Sequence, residues 1–222
     1  MVYPDSQRYE DFIDDRGSGA YGKLGFGYSQ DYSEPSLLDC FKEASTVGMR
    51  VSQIVCGDEH SLAILENIEE RENSHRLFVW GCAKSWQLGL EGDVSEDVLE
   101  PHALEPDPWD GKIRYIGACN NYSCAVTMDG EVYTWGSGEF GRLGYETELR
   151  QQRVPRMVKG VANIQRVALG IHHAVAVTNA GIIFSWGRGI NGQLGHGEIA
   201  NEVNDFLKEN FSNNSINRIA QK

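Results

Sequence analysis

The chain has 222 residues, of which 41% are hydrophobic and 23% charged, as in an ordinary globular protein. Its net charge of −12 argues against the broad cationic surface by which proteins hold DNA or RNA. No apolar run approaches the roughly 20 residues of a transmembrane helix, and the acidic start is unlike a secretory or transit peptide. We therefore expect an intracellular protein, cytoplasmic or nuclear, with no direct nucleic-acid or membrane partner.

Clustered glycines, 25 in all, favour a turn-rich β protein and form part of an internal repeat. The string W-G-x-G-x-x-G-x-L-G recurs with small departures, and its closing Leu-Gly pairs are 64, 55 and 51 residues apart. A period near 50 residues is typical of propeller blades. The four copies lie at 16–25, 80–89, 135–144 and 186–195.

A second string, close to G-x-x-H-x-x-A-V, recurs in phase with the first at 57–64, 119–126 and 170–177. Each unit predicts four short strands, and the pair Asp129-Gly130 between two β-rich runs predicts a hairpin turn. One such sheet cannot bury both of its faces, so successive sheets must stack around an axis. The predicted fold is an all-β propeller of four-stranded antiparallel blades.

The repeats divide the chain into an N-terminal extension, 1–10, and a propeller region, 11–222. Residues 198–214 depart from the repeat pattern, and we interpret them as an insertion between strands, whose role the sequence does not identify. The approximate bounds of the four units are 11–57, 58–119, 120–170 and 171–222.

Two sets of repeated side chains are predicted to be structural. Tryptophans at one repeat position are expected in the core, where each indole N–H needs a partner. Polar residues at a second repeat position are expected to form hydrogen bonds with neighbouring groups. The first set is Trp80, Trp135 and Trp186, and the second is His60, Tyr122 and His173.

These strings resemble the regulator of chromosome condensation repeat family, the seven-bladed β-propellers. The chain departs from the family pattern where Arg16 replaces Trp, where Ala83 and Trp86 replace glycines, and where Cys119 replaces another. With about four blades' worth of sequence, the resemblance implies an incomplete propeller. Three explanations remain open: a fragment of a longer protein, a closed ring of fewer blades, or two arcs that complete each other. Open blade edges predict self-association.

The resemblance also implies where a partner would bind. In the Ran exchange factor of this family, an aspartate and a histidine just after the repeat glycine contact the GTPase, and the segments 57–60 and 172–173 look like those places. A photoreceptor of this fold senses ultraviolet light through tryptophans directly after the repeat glycine. In this chain those positions hold Asp58, Asn120 and Ile171. The partner-binding residues predicted in these turns are Asp58, Glu59, Asn120, Asn121 and His172.

A second candidate surface is acidic. Residues 66–110 carry twelve Asp and Glu against three Lys and Arg, a net charge of −9. Residues 68–76 also form a longer hairpin connection than the one in the next repeat, where the two residues Asp129 and Gly130 suffice. Glu69, Glu70 and Glu72 in this hairpin are predicted to dock a basic protein, because complementary charge speeds association. The alternative is a solvated rim that serves solubility.

No motif points to chemistry. The repeated G-x-G-x-x-G matches the dinucleotide fingerprint, but that fingerprint opens a helix, whereas here x-L-G follows with the blade period. The Ser, His, Asp and Cys residues lack the spacing of a nucleophile with its base or of a zinc site. We therefore expect no enzyme activity, no catalytic residue, no metal and no cofactor.

The function that the sequence favours is a non-catalytic interaction propeller that docks a protein partner on one face. The first alternative is a guanine-nucleotide exchange factor for a Ran-like small GTPase, which would displace nucleotide without covalent chemistry. The second is the substrate-recruiting propeller of a larger protein such as a ubiquitin ligase. The expected partner is accordingly a protein, either a small GTPase or a basic protein.

Overall fold

The computed structural model describes residues 17–41, 48–67, 69, 75–92, 96–145, 147 and 150–197. In this part of the chain, eleven strands and two short 3-10 helices are arranged in repeated order. The 3-10 helices are Ala20–Gly22 and Glu139–Gly141. The strands are β1 (Met49–Cys56), β2 (His60–Asn67), β3 (Arg76–Gly81), β4 (Val98–Ala103), β5 (Ile113–Cys119), β6 (Tyr122–Thr127), β7 (Val132–Ser137), β8 (Gln151–Met157), β9 (Ile164–Leu169), β10 (His173–Thr178) and β11 (Ile183–Gly187).

Strands that are consecutive in sequence pair antiparallel in three separate sheets. The first sheet contains β1 to β4, the second contains β5 to β8, and the third contains β9 to β11. The expected hairpin at Asp129-Gly130 joins β6 to β7, with Gly130 at a φ of 79°. The predicted all-β architecture of four-stranded antiparallel sheets is confirmed for the first two sheets, and the third has three strands among the described residues.

The sheets stack through their faces. Strand β5 of the second sheet lies against β1 and β2 of the first and against β9 of the third. Between the first two sheets, Leu62 and Val79 pack with Ile116, Ala125 and Trp135 in one buried cluster. The second cluster joins the second and third sheets and contains Val126, Val132, Val167, Ala176 and Trp186. Each interior sheet face is therefore covered by its neighbour, as in a propeller.

The repeated tryptophans hold successive repeats together. Trp135 Nε1 donates to the Gln87 carbonyl at 2.9 Å, and that carbonyl directly precedes the Leu-Gly pair of the preceding repeat. Trp80 donates to the Lys23 carbonyl at 2.8 Å and Trp186 to the Arg142 carbonyl at 2.9 Å, at the same repeat position. Each indole therefore forms one side of a contact between repeats, and the x-L-G turn of the preceding repeat forms the other side. We call this contact the joint between repeats. This joint explains why the two ends of the sequence string recur together.

The glycine that closes the string makes room for this joint. Gly89 adopts a φ of +76°, and a Cβ built there would lie 2.8 Å from Trp135 Nε1. A side chain at this position would be strained by the backbone and would also collide with the indole.

Two members of the second set of repeated polar residues, His60 and Tyr122, also bridge neighbouring sheets. His60 Nε2 lies 2.8 Å from Ser123 Oγ, and Tyr122 Oη donates to the carbonyls of Gly170 and His173 at 2.6 and 2.8 Å. His60 is fully buried, and burial lowers its pKa to about 3. Its imidazole is therefore neutral in the folded protein.

Parts of the predicted organisation lie outside the described residues: the extension at 1–10, Arg16 and the segment 198–214. The bounds of the repeat units remain a prediction, and the sheets begin earlier in the repeat, at Met49, Ile113 and Ile164. Among the helices described, none has the length and apolar character needed to cross a bilayer.

Candidate functional site

The antiparallel pairing places the predicted turns at one end of all three sheets. The first residue of β2, His60, pairs with Gly81 at the end of β3, so the β1–β2 turn and the β3–β4 loop lie side by side. Tyr122 and Gly136, and His173 and Gly187, repeat this pairing. We call this surface the turn face; it comprises the turns 57–59, 120–121 and 170–172 with the loops 19–25, 82–90, 138–145 and 188–195.

In each sheet one backbone hydrogen bond ties the turn to its loop. The acceptors are the carbonyls of three equivalent turn residues, Glu59, Asn121 and His172. The donors are the N–H groups of Cys82, Ser137 and Arg188, at 2.8, 2.9 and 2.8 Å. Three of the predicted partner-binding residues therefore also fix the shape of this face.

Asp58 and Asn120 connect the turns of the first and second sheets. The Asp58 carboxylate accepts the Asn120 backbone N–H and side-chain N–H, both at 3.2 Å. The Asp58 N–H in turn donates to the Asn120 carbonyl at 3.3 Å. Asp58 remains exposed, so the carboxylate is held in place while still open to solvent.

Arg142 connects the second sheet to the third. Its side chain is 1% exposed, with Nε donating to the Ser137 carbonyl at 2.8 Å and Nη1 donating to the Ile171 carbonyl at 2.6 Å. Nη1 also lies 3.4 Å from Asn120 Oδ1. Burial lowers the pKa of this guanidinium, and its carbonyl partners compensate the buried charge in part. Arg142 thereby completes a chain of contacts from Asp58 to the turn of the third sheet.

His172 lies at the far end of this chain, beside an exposed aromatic ring. Its imidazole meets the ring of Phe140 edge-on, with ring centroids 4.8 Å apart. The Arg188 guanidinium lies over the same Phe140 ring, 4.7 Å from its centroid. Partial burial and the two nearby cations, Arg142 and Arg188, lower the pKa of His172. The neutral imidazole is thus favoured at this end of the face.

The structure brings Asp58, Glu59, Asn120, Asn121 and His172 together on the turn face. Arg142 was not predicted from the sequence, because it occupies a variable position of the repeat string, which Lys23, Gln87 and Gln193 fill in the other copies. Whether these residues contact a partner remains a prediction.

The acidic hairpin lies elsewhere. Strand β2 runs for eight residues from the turn face, about 26 Å at roughly 3.3 Å per residue, before the chain reaches Glu69. Glu69 is exposed, and its N–H donates to Asn67 Oδ1 at 2.9 Å. Glu70 and Glu72 lie outside the described residues. The predicted site residues therefore do not form one surface.

Chemical groups that could hold a metal do not gather in the described part of the chain, where no cluster of three His, Cys, Asp or Glu side chains occurs. The five cysteines are free thiols. The turn face is thus a surface of turns and loops fixed by hydrogen bonds.

Comparison with known proteins gives the repeat its context. The regulator of chromosome condensation (RCC1) repeat matches residues 17–64, 129–177 and 180–212. The chain is 33% identical over 207 residues to the ultraviolet-B receptor UVR8 of Arabidopsis thaliana, covering 92% of this chain and 43% of the receptor. It is 30% identical over 213 residues to the human E3 ubiquitin-protein ligase HERC2, covering 92% of this chain and 4% of the ligase.

Solved structures agree with this relationship. Human WBSCR16 superposes with a TM-score of 0.66 at 26% identity, over 84% of this chain and 45% of that protein. Prp20p of Saccharomyces cerevisiae, whose structure is described with its binding to Gsp1p and histones, gives a TM-score of 0.58 at 26% identity, over 82% and 42%. The chain spans less than half the length of each of these four relatives.

Proposed function

The chain belongs to the regulator of chromosome condensation (RCC1) repeat family, and from that premise we propose that it is a non-catalytic propeller that docks a protein partner on its turn face. The observation that carries the proposal is the continuous set of contacts from Asp58 through Asn120 and Arg142 to the Ile171 carbonyl. These contacts join three successive turns into one preformed surface. A preformed surface loses less conformational entropy when a partner binds.

Relatives support a partner of this kind. Prp20p is described with its binding to Gsp1p and histones, and a second structure is that of Kap60 bound to yeast RCC1 (Prp20). The similarity to the ligases HERC2 and HERC5 supports a variant of the proposal, in which the propeller recruits the substrate of a ligase.

Site-specific photo-crosslinking tests the docking surface. A benzophenone amino acid replaces Asn121 on the turn face, and the matched control replaces Asp129, an exposed residue at the opposite end of the same sheet. After irradiation in an extract of the source cells, we expect specific protein adducts from position 121 and none from position 129. Adducts of equal yield from both positions, or from position 129 alone, would contradict the proposed surface.

Nucleotide exchange on a Ran-like GTPase is a second candidate function. It is favoured by Asp58, an exposed carboxylate held at a turn by two hydrogen bonds, together with the likeness to Prp20p. Purified protein would then accelerate release of a fluorescent nucleotide from the GTPase. Asp58→Ala would abolish the acceleration and Asp129→Ala would retain it. An unchanged release rate would reject exchange activity and leave the docking proposal to the crosslinking result.

A further inference from the structure

We propose that the partner presents an acidic segment to the turn face, and that Arg153 and Arg188 bind its carboxylates. The inference rests on the proposed docking function and adds the chemistry of the partner. The supporting observation is a contact that recurs between neighbouring repeats, in which a cation lies over an aromatic ring of the preceding repeat. We call each such boundary between neighbouring repeats a seam.

Both arginines lie at the turn-face end of the sheets, Arg153 because the start of β8 pairs with the end of β7, although they come from different repeat positions. Arg153, near the start of β8, lies over the ring of Trp86 in the loop of the first sheet, 4.1 Å from the ring centroid. Arg188, after β11, lies 4.7 Å from the ring centroid of Phe140 in the loop of the second sheet. A third cation, Lys84, lies 4.6 Å from the ring centroid of Tyr21. The arrangement therefore recurs at three successive seams.

The backbone holds these rings in an unfavourable conformation. Tyr21, Trp86 and Phe140 have φ angles of 62°, 62° and 58°, a region that bulky side chains rarely adopt. Strain of this kind is typical of functional surfaces, where surrounding structure maintains it. At each seam the strained residue is an aromatic one that carries a cation.

Among the described residues, no acceptor takes up the N–H groups of either guanidinium. Within the described ranges, the two ion pairs link Glu66 to Arg50 and His75, and neither Arg153 nor Arg188 has a carboxylate partner. A guanidinium stacked on a ring presents its N–H groups at the edge, where a carboxylate accepts two at once. Stacking also restricts the side chain beforehand, so less rotamer freedom is lost on binding.

Charge and exposed apolar surface point to the same partner. In the part of the turn face that the second and third sheets form, the described charged residues, with Arg153 included, are three arginines (Arg142, Arg153 and Arg188) against one carboxylate, Glu139, a local positive excess in a chain of −12 overall. Beside Arg188 lie the half-exposed ring of Phe140 and the side chain of Ile171, 56% exposed. This part of the turn face therefore suits a segment in which acidic residues alternate with apolar ones.

The test uses a short fluorescein-labelled peptide of alternating Glu and Leu, with Lys-Leu and Gln-Leu peptides for comparison. Fluorescence anisotropy measures binding to the full chain and to the double variant Arg153→Gln/Arg188→Gln. The matched control is Lys159→Gln/Arg166→Gln, which removes the same charge from two exposed residues outside the turn face. Thermal unfolding of each variant shows whether it is folded.

We expect the Glu-Leu peptide to bind best and the Arg153/Arg188 variant to lose at least about tenfold in affinity, since charged hydrogen bonds are lost. The control should lose less than about threefold, the part due to long-range charge. Arg153→Lys/Arg188→Lys should be intermediate, because lysine keeps the charge but cannot offer a paired donor.

Three results would overturn the inference: equal loss in the control variant, preference for the Lys-Leu or Gln-Leu peptide, or no binding to any of them. A dimer in solution that Arg153→Gln/Arg188→Gln converts to monomer would also overturn it, because the surface would then join two copies of the chain. Crosslinking from position 121 that persists in the double variant would leave the docking proposal standing while this inference fails.

Discussion

Mild acid is expected to destabilise the protein through one buried side chain, His60. The imidazole is 0% exposed, its Nε2 lies 2.8 Å from Ser123 Oγ, and its Nδ1 has no hydrogen-bond partner. Burial lowers the pKa of His60 from 6.5 to about 3. The folded protein therefore keeps this ring neutral at pH 5, whereas the unfolded chain protonates it.

The size of the effect follows from this difference in pKa. Between pH 6.5 and pH 3 the unfolded chain binds more protons than the folded protein, so the free energy of unfolding falls as the pH is lowered. The contribution of His60 is fully present above its unfolded pKa and is lost progressively below it. From pH 7 to pH 5 the loss amounts to about 2 kcal/mol.

Urea unfolding followed by tryptophan fluorescence, at pH 7 and pH 5, measures this loss in the wild-type protein and in His60→Gln. Glutamine does not titrate, and its side-chain amide can still donate to Ser123 Oγ. Carboxylates titrate alike in both proteins and cancel from the comparison. The wild type should lose about 2 kcal/mol more than the variant. An equal loss in the two proteins would refute the assignment of a neutral, buried His60.

Three further substitutions or reactions test the packing. Gly144→Ala should cost about 2–4 kcal/mol in urea unfolding, because its Cβ would lie 2.9 Å from a Val158 methyl. Gly92→Ala, equally left-handed but in open space, should cost about 1 kcal/mol; equal costs would contradict this difference. Trp135→Phe should destabilise by about 2–3 kcal/mol through a lost hydrogen bond and a cavity; a neutral effect would count against the indole joint. In the folded protein, an aromatic disulfide reagent should modify exposed Cys56 and spare Cys124, whose pKa burial raises to about 12; similar rates would refute its burial.

The fold was predictable from sequence because the same contact is made in every repeat. A string that begins with Trp-Gly and ends with Leu-Gly records both halves of the joint between repeats, as in Trp135 and the Gln87 carbonyl. The departures were informative as well. Trp86, which replaces a repeat glycine, keeps the left-handed backbone of that position with a φ of 62° and places its ring under Arg153.

The site was only partly predictable. Asp58 and Asn120 occupy the same repeat position and His172 occupies the next one. The repeat itself therefore places all three at one end of the sheets. Arg142 was missed because its role depends on the Ile171 carbonyl of the next sheet, a contact that no local pattern encodes. Glu69 is close to Asp58 in sequence, but an entire strand separates them in space.

The joint between repeats is the basis of the whole arrangement, and hydrogen exchange of the indole N–H groups measures it directly. In NMR spectra, the indole protons of Trp80, Trp135 and Trp186 should exchange slowly, because each donates to a carbonyl of the preceding repeat. Trp86, which is partly exposed in its loop, serves as the fast-exchanging comparison. If the indole protons of Trp80, Trp135 and Trp186 exchanged as fast as that of Trp86, the result would contradict the stacking of the sheets and, with it, the turn face.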